Sequence, residues 1–176
     1  MLSQVIPLLA SPTDRSTTTV HWLADNSEVI GSSATLVRTN SGISYTLHTS
    51  GLNPGDAVTN WWIIFNNPEA CQDGCGLDDL FRPGVDASAR FASGHVVGAD
   101  SSANFAGSLK VGETDGALNV HLFGPGLINS REAEIHFIVR THGPAVPGFI
   151  DDMLHTVDGG CQFGACEDLQ AAAFLP

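Results

Sequence analysis

Seven histidines and four cysteines carry most of the chemistry open to this chain of 176 residues: His21, His48, His95, His121, His136, His142 and His155, with Cys71, Cys75, Cys161 and Cys166. Imidazoles gather a transition metal most readily from alternate positions of one strand or from neighbouring strands. No His-x-His occurs here. His136 and His142 stand six apart, so on an unbroken strand they share a face but lie roughly 20 Å apart. They meet one ion only if the chain turns between them. His142-Gly143-Pro144 has the composition of such a turn, so a site joining His142 to His95 or His155 is one reading. Hydrogen-bonded or surface histidines are the plainer one.

The cysteines fall in two tight pairs, Cys71-x3-Cys75 and Cys161-x4-Cys166. An even count in close pairs, in an acidic chain rich in Gly, Ser and Thr, points to disulfides and to an extracellular or periplasmic home. Four cysteines allow three connectivities. Two local loops are the simplest, and a cross-link between the pairs is the alternative. A four-thiolate zinc site also accepts both spacers, but compact zinc modules do not set their pairs this far apart in sequence.

Carboxylates supply a third kind of donor. Asp73, Asp78 and Asp79 lie in one segment, Asp73-Gly74-Cys75-Gly76-Leu77-Asp78-Asp79, and their oxygens suit calcium, although the EF-hand pattern is absent. Glu132 and Glu134, and the neighbours Asp151 and Asp152, suit acid–base work on paper, but no apolar setting is evident that would shift their protonation. Gly-x-Ser-x-Gly, His-Glu-x-x-His and a three-glycine phosphate fingerprint are all missing, so nucleophilic catalysis has no handle. Trp61 and Trp62 are consecutive and must point to opposite faces of a strand. One fills the core; the other meets a second layer, a ligand pocket or a partner.

Charge narrows the function classes. Nineteen acidic residues against seven basic ones leave a formal net charge of −12, and Lys110 is the single lysine. Such a field repels phosphate backbones, and no basic stripe exists to release counterions, so nucleic acid is not an expected partner. No apolar run reaches transmembrane-helix length. Met1 to Ala10 is apolar but lacks a basic start and is interrupted by Pro7. Residues 1–12 therefore read as a signal remnant or as a first strand.

These groups need elements to position them. Ala34–Thr39 and Ile43–Thr49 flank Asn40-Ser41-Gly42, a hairpin turn. Gly51-Leu52-Asn53-Pro54-Gly55-Asp56 then leads into Ala57–Phe65, whose Trp61-Trp62-Ile63-Ile64-Phe65 predicts a central strand buried on both faces. A long loop, Asn66 to about Val85, holds the first cysteine pair. Further strands are expected at Gly94–Val97, Ala103–Val111, Leu118–Phe123 and Ala133–Thr141. Short helices are expected at Asn129–Glu134 and Pro147–His155. Seven or eight strands with one or two short helices make a single all-β domain over 1–176. The expected architecture is an antiparallel Greek-key β-sandwich, with a small β-barrel as the alternative.

The run from Thr35-Leu36-Val37 through Gly51-Leu52-Asn53-Pro54-Gly55, then an apolar strand, then Cys71-Gln72-Asp73-Gly74-Cys75, resembles the Greek-key sandwich of the chordin-type domain and its relative, copper-zinc superoxide dismutase. The resemblance implies a hairpin, a Gly-Leu-x-Pro-Gly turn, a buried strand and a cysteine-bearing loop. It departs where the dismutase carries its His-x-His copper pair: Asn60-Trp61-Trp62-Ile63-Ile64-Phe65 has no such ligands. Dismutase chemistry is therefore carried over to no residue. The Trp-Trp strand, the paired-cysteine loop and the His-Gly-Pro segment also resemble uncharacterised secreted bacterial proteins, which implies export and no particular activity.

The leading functional expectation is a secreted, non-enzymatic binding or self-assembly domain braced by disulfides. Its partner would be a protein, a small-molecule ligand or a second copy, met through Trp61, Trp62, His95, His136, His142 or Asp152. A second is a small barrel enzyme whose apolar cavity is lined by Trp61 or Trp62, Phe65 and Phe137, with His95, His136 or Asp152 as acid or base. A third is a dismutase-like metalloprotein with ligands relocated to His95, His142 and His155. No cofactor is expected, with calcium or a transition metal as the open possibilities.

Overall fold

A computed structural model describes residues 13–113, 121–164 and 166–176. Nine strands follow in chain order: β1 Asp14–Trp22, β2 Glu28–Thr39, β3 Gly42–Thr49, β4 Asp56–Phe65, β5 Ala87–Val96, β6 Ala103–Lys110, β7 His121–Phe123, β8 Glu134–Pro144 and β9 Glu167–Phe174. One α-helix, α1 Ile150–His155, precedes β9. The class is all-β, as the turn-punctuated sequence implies.

All the strands belong to one antiparallel sheet in the order β6-β3-β2-β1-β9-β8-β4-β5-β7. The sheet curls into a half-barrel that brings β5 alongside β6. Around that curve β4, β5 and β6 are neighbours in turn, and β3, which precedes them, lies beside β6. This is a Greek-key path. A weak joint sits between β1 and β9, which pair only at His21↔Ala171 and Trp22↔Gln170. Sandwich and barrel are thus two descriptions of one sheet folded over on itself.

Alternation explains where the core lies. Leu36, Tyr45 and Leu47 on β2 and β3 face Trp62, Ile64, Ile135 and Phe137 on β4 and β8, and together they fill the interior. Tyr45 stacks on Phe137 at 4.1 Å between ring centroids, and Trp62 lies 4.7 Å from both rings. Strand β4 is buried along its whole length, because its second face is covered too. Trp61, Ile63 and Phe65 pack with Val85, Ala87, Ala89 and Ile138 in a separate outer cluster. The lid over that cluster is the 66–86 loop together with β7 and the segment after α1. Helix α1 sits close because β5 has glycine beneath it: a Cβ on Gly94 would fall 2.2 Å from the Leu154 carbonyl oxygen.

Several expectations are corrected. Asn129–Glu134 is not a helix but a single turn, closed by the Ala133 amide to the Asn129 carbonyl and by the Arg131 amide to Asn129 Oδ1. The strand expected from Gly94 begins at Ala87. β1 and β9 are strands that the sequence pattern does not predict. The N-terminal segment 1–12 lies outside the described residues, as do positions 118–120 of the expected strand Leu118–Phe123.

Candidate functional site

The outer face of β4 and β8 brings reactive and aromatic groups together. Thr59, Trp61, Ile63 and Phe65 project there from β4, and β8 answers with Arg140, Ile138, His136 and Glu134 in register. His142 follows one alternation further along β8. The neighbouring tryptophan, Trp62, points into the interior, so the two rings serve two different layers.

Three buried side chains are wired in one direction. The Trp61 indole N–H donates to Thr59 Oγ1 at 2.8 Å, Thr59 Oγ1 lies 2.8 Å from His142 Nε2, and His142 Nδ1 lies 2.8 Å from the Gly159 carbonyl oxygen. A carbonyl only accepts, so the imidazole proton is assigned to Nδ1. Nε2 is then the acceptor of a hydrogen bond donated by the Thr59 hydroxyl. His142 is 1 % exposed. Burial lowers its protonation from the ordinary histidine range, outweighing the Gly159 hydrogen bond that acts the other way. Gly159 can approach because it lacks a side chain: a Cβ there would meet the Asp152 carbonyl oxygen at 2.1 Å.

The second cysteine pair borders this ring. Cys161 and Cys166 form a disulfide, as do Cys71 and Cys75. All four sulfurs are thereby used in two local loops, which removes the cross-linked and four-thiolate alternatives. Cys166 Sγ lies 3.6 Å from His142 Nδ1. The donor atoms of His142, Cys161 and Cys166 all fall within 4.8 Å of one another, the one such trio of His, Cys, Asp or Glu among the described residues.

A cleft of about 130 Å³ opens beside the wired group. Its floor is Trp61, Ile63 and Ile138, and Leu77, Leu80, Phe123 and Val157 form the walls. Arg140 stands at its margin, its Nε donating to the Val157 carbonyl at 2.9 Å and its Nη1 to Asp168 at 2.7 Å. Above the cleft the loop leaves two large apolar residues in solvent, Leu77 at 66 % and Phe81 at 79 % exposed. Phe81 leans on Phe123 with ring centroids 4.8 Å apart.

The acidic loop behaves as a brace. Asp79 is buried, its Oδ1 accepting from the Gln72 amide and from Arg82 Nε, and its Oδ2 from the Gly76 amide. The Arg82 hydrogen bond lowers its protonation range. Asp73 and Asp78 are exposed and line an open hollow of about 620 Å³ that shares Leu77 with the apolar cleft.

The remaining expected residues lie apart. His136 bonds to Glu134 at 2.6 Å and rests edge-on against Phe65. His95 is half-buried on β5, 6.1 Å from the Phe105 ring. Asp152 is exposed on α1, and its backbone carbonyl accepts from Thr156. His155 bonds to the Asp151 carbonyl. Of the residues singled out in the sequence, Trp61, His142, Cys161 and Cys166 come together. Thr59, Gly159, Leu77 and Phe81 complete that corner without having been singled out. For Thr59 the available signal was parity, since it stands two before Trp61 on a strand.

No family model, curated protein or solved structure matches the chain. No helix among the described residues is long and apolar enough to cross a membrane.

Proposed function

We propose that the chain is an exported, non-enzymatic binding domain whose contact surface is the outer face of β4, β5 and β8. The carrying observation is the apolar cleft floored by Trp61, with Leu77 exposed on its wall and Phe81 exposed against Phe123 of that wall. At about 130 Å³ it is too small for a typical small-molecule site of roughly 300 Å³ or more, and suits one large side chain of a protein partner. The exposed Asp73 and Asp78 nearby, in a chain of net charge −12, favour a partner segment with Lys or Arg flanking that anchor. The two disulfides support export.

The test uses synthetic peptides with a Leu or Phe set between lysines, titrated against the chain's tryptophan fluorescence, to which Trp22, Trp61 and Trp62 contribute. Leu77→Ser and Phe81→Ser should each weaken binding about tenfold while leaving the fold intact. Absence of binding to every such peptide, or affinity in both variants equal to the native chain's, would overturn the reading.

Self-association is a second reading with its own observation. β1 pairs with β9 through two residues only, so most of that β1 edge has no ladder partner among the described strands. A strand of a second copy can add to such an edge. Non-denaturing mass spectrometry across a concentration series would show a dimer if it does.

A further inference from the structure

We propose that two-electron reduction of the Cys161–Cys166 disulfide turns this corner into a Cys2His site for a soft d10 cation, Zn²⁺ or Cu⁺, with His142 Nδ1 as the nitrogen ligand. The geometry carries the inference. Tetrahedral zinc with Zn–S near 2.3 Å and Zn–N near 2.05 Å sets its sulfur and nitrogen ligands about 3.6 Å apart, and its two sulfurs about 3.8 Å apart. Cys166 Sγ stands 3.6 Å from His142 Nδ1. All three donor atoms already lie within 4.8 Å, so once the sulfur–sulfur bond opens the sulfurs shift outward and the Gly159 carbonyl, 2.8 Å from Nδ1, swings aside, while the strand that carries His142 stays in place. Thiolate and imidazole are the donors such cations prefer.

The site is also supported from behind. Ligating histidines hold their second ring nitrogen in a hydrogen bond, and His142 Nε2 already has Thr59 Oγ1 at 2.8 Å, with Thr59 in turn receiving the Trp61 indole N–H. Both cysteines are half-buried, which leaves an open side for a water as fourth ligand. The Cys71–Cys75 disulfide is not part of this trio, so the chain contains its own control.

The Cys161–Cys166 disulfide takes two electrons and two protons from a dithiol reductant, which leaves as its own disulfide. Cation binding then releases the two thiol protons. The imidazole gives up its Nδ1 proton, loses the Gly159 bond, and takes a proton on Nε2, where the Thr59 oxygen turns to accept it.

The experiment uses the Cys71→Ser/Cys75→Ser chain, reduced with a phosphine under argon and titrated with Co²⁺, then with Zn²⁺ against a chromophoric chelator. The expected result is one equivalent, sulfur-to-cobalt charge-transfer absorption, and affinity at least tenfold above that of the same chain carrying His142→Gln. The oxidised chain should show neither band nor stoichiometry. Binding unchanged by His142→Gln overturns the proposal, as does loss of near-ultraviolet tryptophan dichroism on reduction that Zn²⁺ does not restore. If the double serine chain does not fold, the native chain is reduced and compared with Cys161→Ser/Cys166→Ser. Equal Zn²⁺ affinity in that pair again overturns the proposal.

Discussion

Thr59 and His142 are joined across β4 and β8 by one hydrogen bond of 2.8 Å, and its direction is decided on the far side of the imidazole ring. Because the Gly159 carbonyl claims the proton of Nδ1, Nε2 has only a lone pair to offer. The hydroxyl must then donate to His142 and accept from Trp61. Within this relay the Trp61 N–H, the Thr59 hydroxyl and both His142 nitrogens each meet a suited partner, and no member can be deleted without leaving another unmet.

Thr59→Val tests this directly. The substitution keeps shape but leaves the Trp61 N–H and His142 Nε2 buried without partners, which costs about 2 to 4 kcal/mol. Thr59→Ser keeps the hydroxyl and should lose less than about 1 kcal/mol. Urea unfolding of both variants measures the difference. Equal stabilities would mean that the hydroxyl has no such role.

Stability should fall with acid through His142. Its folded-state value lies below the ordinary 6.5, so the unfolded chain binds the proton first and stability rises with pH in that window. The contribution is complete above about pH 6.5 and is lost as pH drops from there through the folded value. Arg140, which disfavours the cation, and Asp168 and Asp152, which favour it, act alongside burial. Unfolding midpoints measured in half-unit steps below pH 7 should decline less steeply in His142→Gln than in the native chain. Parallel curves would remove His142 from the account.

Arg38 closes the opposite end of the half-barrel. Buried at 2 % exposure, it donates from Nη1 to the Ser130 and Ala133 carbonyls and from Nη2 to those of Phe174 and Leu175. Arg38→Met keeps much of the stem but strands four carbonyls, and should cost at least about 3 kcal/mol. Hydrogen exchange should quicken first at the end of β9. Protection there equal to the native chain's would contradict this.

Each disulfide encloses only a few residues, so its effect on the unfolded chain is small. Converting Cys71 and Cys75 to serine should cost about 2 kcal/mol, near the low end for such bonds. The native chain should weigh about 4 Da less than its reduced form, two hydrogens for each bond in the pairs Cys71–Cys75 and Cys161–Cys166. A mass equal to the reduced chain's would contradict both bonds.

Local pattern in the sequence was enough for the all-β class, the hairpin of β2 and β3, the doubly buried β4 and the opposed tryptophans. Alternation and turn residues act over a few positions, and those elements bury large apolar side chains that leave a clear period. β1 and β9 left no such trace. Asp14-Arg15-Ser16-Thr17-Thr18-Thr19 is polar throughout, and Ala171-Ala172-Ala173 offers little apolar surface. They are strands because β2 and β8 present edges for them to pair with, which is a tertiary condition. The corner of the molecule was legible only in pieces. Trp61, His142 and the second cysteine pair were visible as residue types, but roughly 80 residues separate the tryptophan from the histidine. Their meeting depends on β8 lying beside β4 in register, on a hydroxyl of no special sequence signature at Thr59, and on a glycine at 159 that lets a carbonyl reach the ring. Contacts of that kind are set by chain crossing rather than by neighbouring residues, and only the folded sheet decides them.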